Sequence, residues 1–167
     1  MTDRVDLKGQ AAIVTGASRG IGRAIALTLA AHGAQVTLAA RDAADLARVA
    51  GEIAAAGGRA LSVPTDMADE AAIVRLVQAT LTQWGRLDIV VNCAGIGIYG
   101  PLVETTTEAW DRLMAVNARG PFILCREAVP ALKQAGGGHI VNIASVVGVK
   151  GYVNQAAYTA SKHALMG

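Results

Sequence analysis

The sequence is poor in aromatic residues: Phe, Trp and Tyr together make up 4% of its 167 residues. A core built by this chain must rest on small and branched aliphatic side chains rather than on packed rings. It also lacks an excess of one charge, since 15 Lys and Arg face 13 Asp and Glu, for a net +2. So even a balance offers no basic groove, and no nucleic-acid partner is expected. Cys93 and Cys125 have neither the density of a disulfide framework nor metal-site spacing, so reduced thiols are expected. His32, His139 and His163 are not at ligand spacing either, and no metal is expected. The most apolar stretches are broken by Arg, Asp, Gly or Asn within about ten residues, short of the roughly 20 needed to cross a membrane. Met1 to Gln10 mixes Asp3, Arg4, Asp6 and Lys8 instead of the apolar stretch of a secretory signal. The expectation is a soluble, cytoplasmic protein with no membrane partner.

What the chain does have is aliphatic surface to bury. Hydrophobic residues are 53% and charged residues 17%, which excludes disorder through low hydropathy. The length suits one domain, residues 1–167. Short apolar runs at Ala11–Val14, Val36–Ala39, Ala60–Val63, Leu87–Val91 and Ile140–Ala144 show little polar alternation, as strands covered on both faces do. Between them apolar residues recur at helical spacing. Leu46, Val49, Ala50 and Ile53 make one stripe; Ile73, Leu76, Val77, Leu81 and Trp84 make another, stopped at Gly85. This alternation predicts an α/β fold: a doubly wound parallel sheet of Rossmann type, with right-handed crossovers and strand order 3-2-1-4-5. The last helix starts near Gln155, and the fifth strand would be an apolar sheet edge. A C-terminally truncated chain is expected, with further strands missing.

The unusual residues collect at the carboxyl ends of the predicted strands, where open α/β sheets bind ligands. Thr15-Gly16-Ala17-Ser18-Arg19-Gly20-Ile21-Gly22 follows the first strand. Its glycines permit a tight turn and close approach to a pyrophosphate, with a helix N-terminus behind it; a ligand-free turn is the alternative. Ala40 stands where an acidic residue would grip a ribose 2′-OH, and Arg41 follows it. Arg19 and Arg41 suit a 2′-phosphate, which favours NADP(H) over NAD(H); alternatively Arg41 is a solvated charge and Asp42 a helix cap. Asp66, after the third strand, would cap the next helix, contact an adenine edge, or both. Asn92-Cys93-Ala94-Gly95, after the fourth, offers small residues for a close backbone approach, or a plain turn in which Asn92 ties neighbouring strands.

A helix is predicted from near Thr107 to Leu132, with an apolar face of Trp110, Leu113 and Met114 that meets Asn117. A buried amide needs hydrogen bonds. Pro121 cannot donate to the Asn117 carbonyl, which leaves that oxygen to an internal water or, in a kinked helix, to bulk solvent. Ser145 follows the fifth strand directly. Tyr158 and Lys162 lie at i,i+4 on the last helix, with Cβ atoms about 5–6 Å apart on one face, where an ammonium favours a phenolate. Taken singly, such a pair is more often surface decoration.

Thr15-Gly16-x-x-x-Gly20-x-Gly22, Asn92-x-Ala94-Gly95, Asn117, Ser145 and Tyr158-x-x-x-Lys162 together resemble the classical short-chain dehydrogenases/reductases, from about Lys8 to Gly167. Cys93 stands where many members have a second Asn. The resemblance implies that the loop of Gly16, Ser18, Arg19, Gly20, Ile21 and Gly22, together with Arg41, Asn92, Ala94 and Gly95, holds the cofactor. Asp66 would contact its adenine. Tyr158 would be the general acid in carbonyl reduction and the base in reverse. Lys162 would stabilise the phenolate and hold the nicotinamide ribose, Ser145 would bind the substrate oxygen, and the Asn117 carbonyl would hold a water linking Lys162 to solvent. The implied reaction is hydride transfer between NADP(H) and a ketone or secondary alcohol. The 3-oxoacyl-[acyl-carrier-protein] reductases are similar in the glycine loop and in Asn142–Gly148, but Ile96-Gly97-Ile98-Tyr99 differs from theirs, so that substrate is the alternative. From another class, a non-catalytic nucleotide-binding fragment is the competing reading. The family's substrate-binding loop and last two strands lie beyond the tyrosine helix. Members associate through the Trp110–Leu132 region and that helix, so a homotetramer or homodimer is expected.

Overall fold

Alternating buried runs and amphipathic segments fold as a single parallel sheet with helices on both faces. The computed structural model describes residues 6–167; the first five residues, with Asp3 and Arg4 of the charged N-terminal segment, lie outside the described residues. In chain order the elements are β1 (Ala11–Thr15), α1 (Gly20–Ala31), β2 (Gln35–Ala40), α2 (Ala43–Ala55), β3 (Arg59–Pro64) and α3 (Glu70–Trp84). Then come β4 (Ile89–Asn92), α4 (Thr107–Met114), a π-helical turn (Ala115–Arg119), α5 (Gly120–Gln134), β5 (His139–Asn142) and α6 (Ala156–Met166).

The strand order is β3-β2-β1-β4-β5, all pairs parallel. From β1 the chain winds outward to β3, then returns to place β4 on the other side of β1. The connections that follow β1 and β4 therefore run to opposite faces of the sheet, with α1 on one and α5 on the other, which makes this the switch point of a doubly wound sheet. All five residues of β1 are buried. Ile13 joins a core with Ile73 and Leu76 of α3 and Leu124 of α5. Ala12 and Val14 point the other way, into a core with Leu46, Val49 and Ile53 of α2. Covering both faces explains why the central strands read as unbroken apolar runs. Each buried Leu or Ile contributes about 1.5–3 kcal/mol.

Local signals set the helix ends. Asp42 accepts from the Asp45 N–H at 2.9 Å, Asp69 from Ala72 at 3.2 Å and Thr106 from Ala109 at 3.2 Å. Gly85 ends α3 in the left-handed region, φ 74°, its N–H reaching the Leu81 carbonyl at 2.8 Å.

Four expectations need correction. The outer strands are not covered on both faces: β5 is exposed throughout, with Ile140 at 39% and Val141 at 44%, and β3 is only half-buried. Among the described residues each has a single neighbouring strand, and solvent reaches its free side. The long helix is divided, because Pro121 has no N–H for the Asn117 carbonyl. The ladder widens just upstream, and the Gly120 N–H reaches the Ala115 carbonyl in a π turn. Trp110 is 38% exposed, so the buried face begins at Leu113. Ile143 and Ala144 separate β5 from Ser145, which starts a short 3₁₀ turn over Val146–Gly148.

Candidate active site

A cleft of about 950 Å3 runs along the carboxyl ends of the strands, from Asp66 and Arg41 past the glycine loop to Tyr158 and Lys162. Gly16 has φ +67°, and a Cβ there would lie 2.9 Å from the Ala94 Cα, so only glycine lets the β1 and β4 loops close together. Thr15 holds them in register: its Oγ1 accepts from the Cys93 and Ala94 N–H groups, both at 3.0 Å, and donates to the Val91 carbonyl at 3.2 Å. Arg19 precedes α1 and no side chain caps that helix end. The first-turn N–H groups therefore face a cleft lined by Ser18, Arg19, Gly20, Ile21 and Gly22. A glycine cradle, an uncapped helix N-terminus and nearby cations suit a dinucleotide diphosphate.

At one end Arg19, Arg41, Asp42, Asp66 and Arg112 line the cleft. Asp42 caps α2. Asp69 caps α3, so the alternative of Asp66 as that cap does not hold; Asp66 instead closes a short turn onto the Ala68 N–H at 2.9 Å. The Arg112 guanidinium bonds both Asp66 oxygens, at 3.1 and 2.9 Å. Desolvation pushes the Asp66 carboxyl upward. The Ala68 N–H, Arg112 and the charge of Arg41 outweigh it and hold the group below the usual carboxylate range.

At the other end Lys162 is 5% exposed. Its Nζ donates to the Ile143 carbonyl at 2.9 Å and lies 5.9 Å from the centre of the Tyr158 ring. Burial lowers its pKa, opposed by the neighbouring Cys93. Burial likewise raises the Cys93 thiol, against the pull of Lys162. A Cβ on Gly95 would lie 3.4 Å from Asn117 Oδ1 and 3.6 Å from Lys162 Nζ, so the loop passes close over both.

Asn92, Asn117 and Ser145 are outside the set that lines the cleft. Asn92 is buried and donates to Asn142 Oδ1 at 2.8 Å, joining β4 to β5. Asn117 is buried with its amide fully engaged by Ile96 and Ser161. Ser145 is half-buried just beyond Ala144, its Oγ accepting from the Val147 N–H at 3.4 Å.

The family model for short chain dehydrogenases matches residues 10–167. The chain belongs to the short-chain dehydrogenase family. An uncharacterized oxidoreductase of Thermotoga maritima is 39% identical to it over 98% of this chain and 64% of its own length. A versicolorin reductase of Emericella nidulans is 38% identical over 98% of this chain and 62% of its own. The chain thus spans less than two thirds of the length of these curated relatives. Among solved structures, a metagenomic short-chain oxidoreductase in complex with NADP superposes with a TM-score of 0.93 at 48% identity, over 96% of this chain and 73% of that one. A putative short-chain alcohol dehydrogenase of Sinorhizobium meliloti gives 0.94 at 37% identity, over 98% of this chain and 65% of that one.

Three residues at or beside the candidate site of this short-chain dehydrogenase family member escape a reading of motifs. Arg112 clamps Asp66. Arg48 Nη2 donates to the Ser18 carbonyl at 3.1 Å and steadies the glycine loop from α2. Tyr99 lines the cleft with its ring 5.6 Å from that of Tyr158. Nothing in local spacing announces them; only the unusual Ile96–Tyr99 segment gave a hint.

Proposed function

We propose that this chain carries the cofactor cleft and the proton-transfer group of an oxidoreductase that moves a hydride between NADP(H) and a ketone or secondary alcohol. When bound, the nicotinamide supplies or accepts the hydride. Tyr158 gives its hydroxyl proton to the carbonyl oxygen during reduction and recovers it from the alcohol in reverse. Lys162 sets positive charge beside the ring and so stabilises the oxygen once its proton has left. Its bond to the Ile143 carbonyl fixes the ammonium. The Ser145 hydroxyl is the proposed partner of the substrate oxygen. The Asn117 carbonyl, which Pro121 cannot serve, is the proposed acceptor of a water that relays protons between Lys162 and solvent.

One observation carries this reading: a buried ammonium beside a tyrosine ring in the same cleft as an uncapped glycine loop. Arg19 and Arg41 at the far end support NADP(H), as does the NADP complex of the metagenomic relative. Exposed Phe122 on α5 supports assembly into a homodimer or homotetramer through the α4–α5 face. Among the described residues no helix is long and apolar enough to cross a membrane.

The test is Tyr158→Phe. Turnover of ketones should fall by at least about a hundredfold, the scale of a lost general acid, while NADPH binding followed by fluorescence persists. Undiminished turnover would remove Tyr158 from the proposed role.

A further inference from the structure

The segment Ile96 to Gly100 leaves β4 and passes in front of α6, and both of its ends are tied down. Asn117 accepts from the Ile96 N–H at 2.9 Å and donates to the Ile96 carbonyl at 2.8 Å. The Gly100 N–H donates to the Asn154 carbonyl at 2.9 Å, joining this loop to the one that precedes α6. Between these anchors Tyr99 folds back over Gly97. A Cβ on Gly97 would fall 2.5 Å from the Tyr99 hydroxyl oxygen and 2.7 Å from its Cζ, so the glycine makes room for the ring. The ring then forms an edge-to-face pair with that of Tyr158, centroids 5.6 Å apart and planes at 67°. That is the arrangement aromatic pairs prefer, with a positive edge toward a negative face.

Tyr99 is 65% exposed, so most of its surface remains uncovered while one side rests against Tyr158. It also lines the cleft. Because the two rings are paired in one cleft, a carbonyl held at the Tyr158 hydroxyl sets its substituents within reach of the Tyr99 ring. We infer that Tyr99 is a specificity-determining residue, forming with Tyr158 an aromatic corner that favours carbonyl substrates carrying a flat aromatic group over saturated ones of the same size. The chemistry behind the selection is the ring quadrupole. A planar aromatic substituent completes a second edge-to-face or offset contact on Tyr99, whereas a saturated ring of equal bulk gains only apolar burial. The inference rests on the proposal that Tyr158 exchanges the proton with the carbonyl.

The experiment compares acetophenone with cyclohexyl methyl ketone, using NADPH and the full chain, in the wild type, Tyr99→Ala, Tyr99→Phe and Gly97→Ala. The wild type should show the higher kcat/KM for acetophenone. Tyr99→Ala should reduce that ratio about two- to tenfold, the scale of one aromatic pair, mainly by raising KM for acetophenone. Tyr99→Phe should preserve the ratio. Gly97→Ala, whose methyl displaces the ring without removing it, should lower the ratio as Tyr99→Ala does. NADPH affinity should stay unchanged in all three variants, which separates lost selectivity from lost folding. The inference is overturned by a ratio that survives Tyr99→Ala, by no aromatic preference in the wild type, by failure to reduce either ketone, or by parallel loss of NADPH binding. A Tyr158→Phe arm distinguishes the two ideas. If that variant is silent and Tyr99→Ala keeps its ratio, only the role of Tyr99 falls. If Tyr158→Phe reduces both ketones like the wild type, the proton-transfer reading fails and this inference with it.

Discussion

Asn117 and Ser161 hold the loop after β4 against the tyrosine helix. The amide Nδ2 of Asn117 donates to Ser161 Oγ at 3.0 Å, and Ser161 Oγ donates in turn to the Tyr158 carbonyl at 2.8 Å. The same amide grips Ile96 by both its N–H and its carbonyl. One buried side chain from the π turn thus sets the distance between α6, which carries Tyr158 and Lys162, and the loop that carries Tyr99.

Removing that amide leaves the Ile96 N–H and carbonyl without their partner. Asn117→Ala should therefore cost about 1–3 kcal/mol of unfolding free energy, the penalty for stranding buried polar groups. Ketone turnover at saturating NADPH should fall more than NADPH affinity does, because Thr15 rather than Asn117 ties the glycine loop to β4. Urea unfolding and steady-state kinetics would check both. An Asn117→Ala chain as stable and active as the parent would mean that the clamp is idle.

Asp88 accepts from the Ala11 N–H at 2.8 Å and from Arg86 Nε and Nη2 at 2.8 and 2.6 Å, and so pins the start of β1 to the approach to β4. Desolvation pushes this carboxyl upward, but the Arg86 hydrogen bonds, the Ala11 N–H and the Arg86 charge hold it below the ordinary range. A carboxyl whose pKa is depressed on folding stabilises the protein fully above its unfolded value of about 3.9 and ceases to as pH falls through the folded value. Asp88→Asn should lose about 1–3 kcal/mol at pH 7. The gap to the wild type should begin to close below about pH 4. A gap that stays constant in thermal melts from pH 7 to pH 3 would exclude the linkage.

The interior strands were legible because burial on both faces leaves a run such as Ala11–Val14 without polar alternation, a signal carried by consecutive residues. Gly16 and the Tyr158–Lys162 pair were legible for a similar reason: backbone freedom and helical spacing are local properties. What stayed hidden depends on residues far apart in the chain. Arg112 meets Asp66 across 46 positions, and Arg48 meets Ser18 across 30. The π turn sits between. Pro121 signalled a missing donor at Asn117, but not that the ladder would respond by widening upstream at Ala115. Exposure of β5 is not legible because the run Ile140–Ala144 is interrupted by one polar residue, Asn142, just as Leu87–Val91 is by Asp88; neighbours, not composition, decide coverage.

Ala40 ends β2 where a carboxylate would be needed to bind a ribose 2′-OH, and Arg41 lines the cleft one residue later, with Arg19 also on the wall. Arg41 is exposed at the cleft wall, and its charge adds to the Ala68 N–H and Arg112 in holding the Asp66 carboxyl low. A 2′-phosphate at this corner adds negative charge facing two guanidiniums, whereas a 2′-hydroxyl adds none. NADPH should accordingly bind more tightly than NADH. Arg41→Ala should weaken NADPH binding by about tenfold, equal to about 1.4 kcal/mol, and change NADH binding much less. Since the site is open, raising the salt from roughly 0.05 to 0.5 M should narrow the difference between the two cofactors in the wild type. Ala40→Asp should act in the opposite sense, repelling the phosphate and offering the hydroxyl an acceptor. Fluorescence titrations with both cofactors would decide it. Tighter binding of NADH by the unmodified chain would reassign Arg41 to the solvated surface and leave the 2′ position unread by this corner.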